Sequence, residues 1–165
     1  MEAVCVLHRG LYFPSGRLDT REETSLIVLH HTGGAAGEDP DAAGIDAAHR
    51  RLGWSGIGYH FLIRRDGTIE AGRPLLSVGA HAEGANYESV GIALCGNFCE
   101  DEPTNAQTES CAMLLALLSA SFGFEPDAEH IVGHRDLAAT ACPGDALYEQ
   151  IPEMIGKAIW YHMNA

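Results

Sequence analysis

Residues 89–96 read SVGIALCG, with no polar side chain after the opening serine. The run is too short for a helix of ordinary length and reads as a strand. A strand without polar alternation is buried on both faces, so it belongs at the centre of a sheet with a layer packed on each side. Other segments supply the neighbouring strands. SLIVLHHT (25–32) is a short β-branched apolar run that stops at Gly33-Gly34. GYHFLIRRDGTIEAG reads as strand, Asp66-Gly67 turn, strand. HIVGH (130–134) reads as a short strand or turn.

Helical segments alternate with these strands. IDAAHRRLGW places Ile45, Ala48 and Leu52 on one side at helical spacing. TESCAMLLALLSASFGF is apolar at 111, 114, 115, 118 and 122 and is closed by Gly123. ALYEQIPEMIGKAIWYH reads as a last helix, limited or kinked by Pro152. Interleaved strands and helices give an α/β class: a mixed central β-sheet flanked by helices, in one domain of 165 residues. Residues 1–24 carry the turn residues Pro14, Ser15 and Gly16 and read as an irregular N-terminal segment, with the domain proper over 25–165.

A chain of this length buries roughly 70% of its unfolded surface, so it folds without disulfides. The net charge of −13 argues against nucleic acid as a partner, since that binding needs clustered Lys and Arg. It argues equally against docking on an anionic membrane. No run of 18 apolar residues occurs. The five cysteines, an odd count, read as reduced thiols. Cys111 reads as core, and Cys95 and Cys99 read as buried small hydrophobes, with a bridge or a weak metal pair between the two as the alternative.

The chemistry concentrates in histidines and one further cysteine. In SLIVLHHT the two-residue period sends His30 to the face of Val28 and Leu26, and His31 to the opposite face with Leu29 and Ile27. In HIVGHRDLAATACPGDAL, His134 precedes Cys142 by eight residues, and Pro143-Gly144 holds the cysteine on a turn. Asp136 stands where it can orient a nearby backbone or side chain. Two nitrogens and one sulfur with a fourth position open describe a catalytic zinc site, whereas structural zinc uses four protein ligands and often paired CxxC spacing. His130 and His134 form a rival H-x3-H pair should that segment be helical.

The strings IVLHHTGG, GYHFLIRRDGTIEAGR, VGAHAEGANYESVGIALCGNF and GHRDLAATACPGDALY occur in this order over about residues 25–150. In them the chain resembles the zinc-dependent N-acetylmuramoyl-L-alanine amidases of the peptidoglycan recognition protein and phage lysozyme-amidase group. The resemblance implies a zinc site in a surface groove over the sheet, with Zn²⁺ as cofactor and peptidoglycan as the partner. It implies His30, His134 and Cys142 as metal ligands and Tyr59 as a catalytic group beside the metal. It places Thr140 as a weaker catalytic helper and His81 and Asn86 as substrate contacts. Residues 25–165 are then the amidase catalytic domain, and the implied reaction is hydrolysis of the bond between N-acetylmuramic acid and L-alanine, as in an endolysin.

Two departures refine the match. The recycling branch of these amidases carries a glutamate base in the strand written here SVGIALCG, where this chain has Ala93. The disulfide usual in recognition proteins after the HHT strand is missing, which fits synthesis in a reducing compartment. MEAVCVLHRGLYFPSGRL lacks a basic start followed by an apolar stretch, so no signal peptide is read. The expectation is synthesis in the cytoplasm and action on the wall after release. Two competing readings are a non-catalytic peptidoglycan-binding module and a cysteine hydrolase with Cys142 as nucleophile and His134 as base. Among the remaining histidines, His49 reads as a solvated helix residue and His60 as core or support behind the site.

Overall fold

The computed structural model describes residues 3–165. Its strands are β1 (Val6–Leu7), β2 (Leu26–His31), β3 (Phe61–Ile63), β4 (Ile69–Ala71), β5 (Ser89–Leu94) and β6 (Ile131–Gly133). Its helices are α1 (Ala42–Arg51), α2 (Asn105–Phe122), α3 (Asp145–Tyr148) and α4 (Ile151–Met163), with a 3-10 turn over His134–Asp136. The six strands form one sheet in the order β1-β4-β3-β5-β2-β6. Only the β3–β4 hairpin pairs antiparallel, so the sheet is mixed. β5 is buried at all six residues and lies between β3 and β2, as its apolar run requires.

The two faces of the sheet differ. Ile27 and Leu29 of β2 and Val90, Ile92 and Leu94 of β5 pack with Leu114, Leu115 and Leu118 of α2 and Met154 of α4 in the main core. α2 has a capping box at its start, with Thr104 and Gln107 satisfying each other's backbone N–H, and Gly123 closes it at φ 77°. The opposite face is smaller and more polar. There β5 presents Ser89, Gly91 and Ala93, and β2 presents Val28 and His30 under α1 and the 78–88 loop. Short side chains at 89, 91 and 93 leave room on that face for rings.

Three readings from the sequence change. The stretch 1–24 is not wholly irregular. β1 pairs in parallel with β4, Thr20 bridges to Ser77, and the buried Arg21 donates to the carbonyls of Ser77 and Leu75. A two-residue strand has no period to read. α1 starts at Ala42 behind the N-cap Asp41 and buries Ala42 and Asp46, while Leu52 is 67% exposed. Asp46 is drawn inward because it accepts from the Ile57 N–H and from Arg50. The last helix is two helices, and Pro152 sits in the first turn of α4, where a missing N–H costs nothing.

Glu70 ties the polar face together. It is fully buried on β4, accepts from Arg9 and Arg64, and its Oε2 accepts the Ala42 N–H at 2.7 Å. The carboxylate thus satisfies an otherwise orphaned donor at the start of α1 and faces the positive end of that helix. Glu70→Ala is expected to destabilise the fold by about 3 kcal/mol, the lower part of the range for breaking a buried ion pair because both arginines reach solvent. Urea unfolding of the variant checks this, and a loss below about 1 kcal/mol would contradict the role given to Glu70.

Candidate active site

β2 and β6 pair in parallel with Leu29 opposite Gly133. The next residue on each chain is a histidine, so His30 and His134 leave neighbouring strands at the same level. Their ring centroids lie 4.7 Å apart. The chain after the 3-10 turn folds back, with the Arg135 N–H donating to the Cys142 carbonyl at 3.0 Å. Arg135 also donates to the Ala141 carbonyl and to Asp145, and the Gly133 N–H donates to Asp136. These bonds return the Cys142 thiol to the histidines, with Sγ 3.6 Å from His30 Nδ1. One ligand atom from each of His30, His134 and Cys142 lies within 4.8 Å of the other two. His30 is 1% exposed, and the other two are half-buried at the floor of a groove. Two imidazoles and a thiol at this spacing fit one tetrahedral metal ion with a position facing the groove.

The structure places each of the other residues named from the sequence either beside these three or apart from them. His31 points the other way and accepts the Phe98 N–H at 3.1 Å through Nδ1. His130 bonds to Asp127 and stacks on Phe124, and its segment is a strand, so the H-x3-H alternative is not formed. Tyr59 lines the groove with its ring 5.2 Å from that of His30, and its hydroxyl makes no hydrogen bond to the described residues. Thr140 also lines the groove, and its Oγ1 accepts the Cys142 N–H. Asn86 accepts the N–H groups of His81 and Ala82 through Oδ1. His81 lies in the groove floor, 8% exposed, with its ring nitrogens 2.9 Å from His30 Nε2 and 3.3 Å from Ser89 Oγ. Ala93 is paired opposite His30, so the strand beside it carries no carboxylate.

Three residues near the site escaped the sequence reading. His49 is not a solvated helix residue. Its Nδ1 accepts the Gly58 N–H, and its ring packs against Trp54 and Tyr59 at 4.6 and 5.6 Å. Trp54 is 43% exposed at the groove rim. Ser89 lies beneath His81. Cys99 is exposed, whereas Cys95 and Cys111 are buried as expected, and all five cysteines are free.

Burial decides the charge states. It drives His30 and His81 well below the ordinary histidine range and lowers His134, so all three rings are neutral near pH 7. Burial lifts the Cys142 thiol to about 11 when no cation is present. Burial, and secondarily the nearby Cys142, raises Tyr59 above the ordinary phenol range, which keeps it a proton donor.

The family described as N-acetylmuramoyl-L-alanine amidase matches residues 20–145. The chain belongs to this family. It is 35% identical to the endolysin of Escherichia phage T7 over 128 residues, which cover 74% of this chain and 82% of the endolysin. It is 36% identical to peptidoglycan-recognition protein SC2 of Drosophila melanogaster over 133 residues, 77% of this chain and 72% of that protein. Among solved structures, the N-acetylmuramoyl-L-alanine amidase LysC from Clostridium intestinale superposes with a TM-score of 0.82 at 35% identity, covering 92% of this chain and 97% of that one. The wild-type recognition protein LB of Drosophila superposes with a TM-score of 0.79 at 28% identity, covering 96% and 95%.

Behind the amidase site, His60 accepts the Gly91 N–H at Nδ1 and donates from Nε2 to the Ser77 carbonyl. Burial lowers it from 6.5 to about 3. The unfolded chain therefore takes up this proton below 6.5 while the fold refuses it. The stabilisation is complete above 6.5 and is lost as pH falls towards 3, at ~1.4 kcal/mol per pH unit. The parent protein is expected to lose stability more steeply than His60→Gln by that slope between pH 6.5 and 4.5. Urea unfolding across the interval checks it, and parallel curves would contradict it.

Proposed function

We propose that this amidase is a zinc enzyme that hydrolyses the amide joining the lactyl carbonyl of N-acetylmuramic acid to L-alanine in peptidoglycan, and that it acts in cell-wall lysis as an endolysin. The convergence of His30, His134 and Cys142 at the floor of an open groove is the observation that carries this reading. When bound there, zinc supplies Lewis acidity and the means to activate water near neutral pH.

The protein's own groups do the rest. His30, His134 and Cys142 hold the ion, the cysteine as a thiolate. Tyr59 donates a hydrogen bond to the carbonyl oxygen as it gains negative charge. Thr140 fixes the turn that carries Cys142 and presents its hydroxyl to the groove. Asn86 spends its Oδ1 on the His81 loop and keeps Nδ2 for the stem peptide, and the groove edge of His81 forms part of the substrate floor. In the net reaction water oxygen bonds to the lactyl carbon, the C–N bond breaks, and the alanine nitrogen leaves with a proton. The groove has a volume of about 580 Å³, enough for a muramyl peptide segment rather than a lone water.

A receptor without catalysis has no need of this ligand set, and its completeness favours the enzyme. A cysteine hydrolase needs a thiolate, and a thiol lifted to about 11 is poorly suited to that role. Synthesis in the cytoplasm followed by release to the wall fits the endolysin relatives, and no helix among the described residues is long and apolar enough to cross a membrane.

Digestion of purified peptidoglycan, read by mass spectrometry, tests the proposal. The expected products are free stem peptides beginning with L-alanine and glycan strands with intact lactyl groups. Binding without release would favour the receptor instead. His30→Ala is expected to abolish cleavage and metal binding, while His31→Ala, altered on the opposite face, keeps both. Tyr59→Phe is expected to lower kcat by about 10²–10³-fold with metal retained. Equal loss in His31→Ala and His30→Ala, both folded, would contradict the ligand assignment.

A further inference from the structure

We propose that His81 and Ser89 are positioning residues that decide which nitrogen of His30 carries its proton, and so which is free to hold the metal. The inference rests on the zinc reading above and extends it to residues that hold no ion themselves.

Ser89 Oγ lies 2.7 Å from the Ala85 carbonyl oxygen and 3.3 Å from His81 Nε2. Two oxygens at 2.7 Å repel unless a proton lies between them, so the single serine proton goes to Ala85. Ser89 Oγ can then only accept from His81, which places the His81 proton on Nε2. A neutral imidazole with its proton on Nε2 offers a lone pair at Nδ1. His81 Nδ1 lies 2.9 Å from His30 Nε2 and accepts from it. The His30 proton is thereby held on Nε2, and Nδ1, the atom 3.6 Å from Cys142 Sγ, keeps its lone pair towards the ligand cluster. The order runs from a backbone carbonyl to the metal site through Ser89, His81 and His30, and no ring has to gain or lose a proton.

The surroundings enforce the arrangement. A Cβ added at Gly91 would lie 2.5 Å from His81 Cγ, so only glycine on β5 admits the ring there. Asn86 holds the backbone of His81 at two N–H groups counting that of Ala82. His60 stands edge-on to His81 at 5.7 Å, with both its nitrogens committed to backbone, and does not compete for Nδ1. Such a partner to a ligating histidine typically accounts for 10–100-fold in metal affinity.

The test reads tautomers and affinity together. Ring ¹⁵N spectra of the full chain, with and without zinc, are expected to show the proton on Nε2 of both His30 and His81. Chelator competition is expected to give His81→Phe a zinc Kd about 10–100-fold above the parent. His81→Asn, whose Oδ1 can take the place of Nδ1, is expected to recover most of that loss, and Ser89→Ala to bind more weakly than the parent. A proton on Nδ1 of either ring, or zinc binding by folded His81→Phe within twofold of the parent, would overturn the proposal. Should His81→Phe not fold, the ring spectra of the unmodified chain decide. A parent chain that binds no zinc would sink the zinc reading, whereas the tautomers are read in the zinc-free protein either way.

Discussion

The parallel register of β6 on β2 is the constraint on which the site depends. With Leu29 opposite Gly133, the chain must emit His30 and His134 side by side at the same end of the sheet. The third member of the cluster, Cys142, comes from a turn whose return is fixed by hydrogen bonds from the Arg135 backbone and guanidinium rather than by a long packed element. A one-residue slip in β2 would turn His30 away from the groove and put His31 or Leu29 in its place. The core on the other face opposes that slip. Ile27 and Leu29 would leave the layer they share with α2 and α4, and Val28 and His30 would enter it.

The second requirement is space for rings on a face that is otherwise buried. Ser89, Gly91 and Ala93 on β5 are small, and against them lie His81, His60 and His30. Buried imidazoles are tolerated because they stay neutral and nearly all their nitrogens are paired: His60 to backbone, His81 to Ser89 and His30. The same burial that lowers their proton affinity leaves the rings neutral, and on His30 the nitrogen facing Cys142 is the one not bonded to His81.

Much of this was legible in the sequence where a short local rule applied. The unbroken apolar run of β5 marked the centre of the sheet, Asp66-Gly67 marked the hairpin, and Gly123 marked the end of α2, whose start at Asn105 lies three residues ahead of the segment read as helical. Strand alternation separated His30 from His31, and the four ordered motifs carried the family. What could not be read depends on partners remote in the chain. β1 has two residues and takes its register from β4. α1 turned Asp46 inward for the sake of the Ile57 N–H. His49 came to the site because its helix packs beside Tyr59. The link from Ser89 to His30 through His81 exists only in space. No spacing encodes it, although the small residues of β5 are its trace.

The arrangement of His30, His134 and Cys142 calls for one metal ion gripped by two imidazoles and one thiolate. X-ray absorption at the zinc edge of the purified, zinc-reconstituted protein tests it most directly. The expected result is one zinc per chain with a single sulfur at about 2.3 Å and the remaining nitrogen and oxygen scatterers near 2.0–2.1 Å. A spectrum with no sulfur neighbour, or a protein that retains no zinc after reconstitution, would contradict the account.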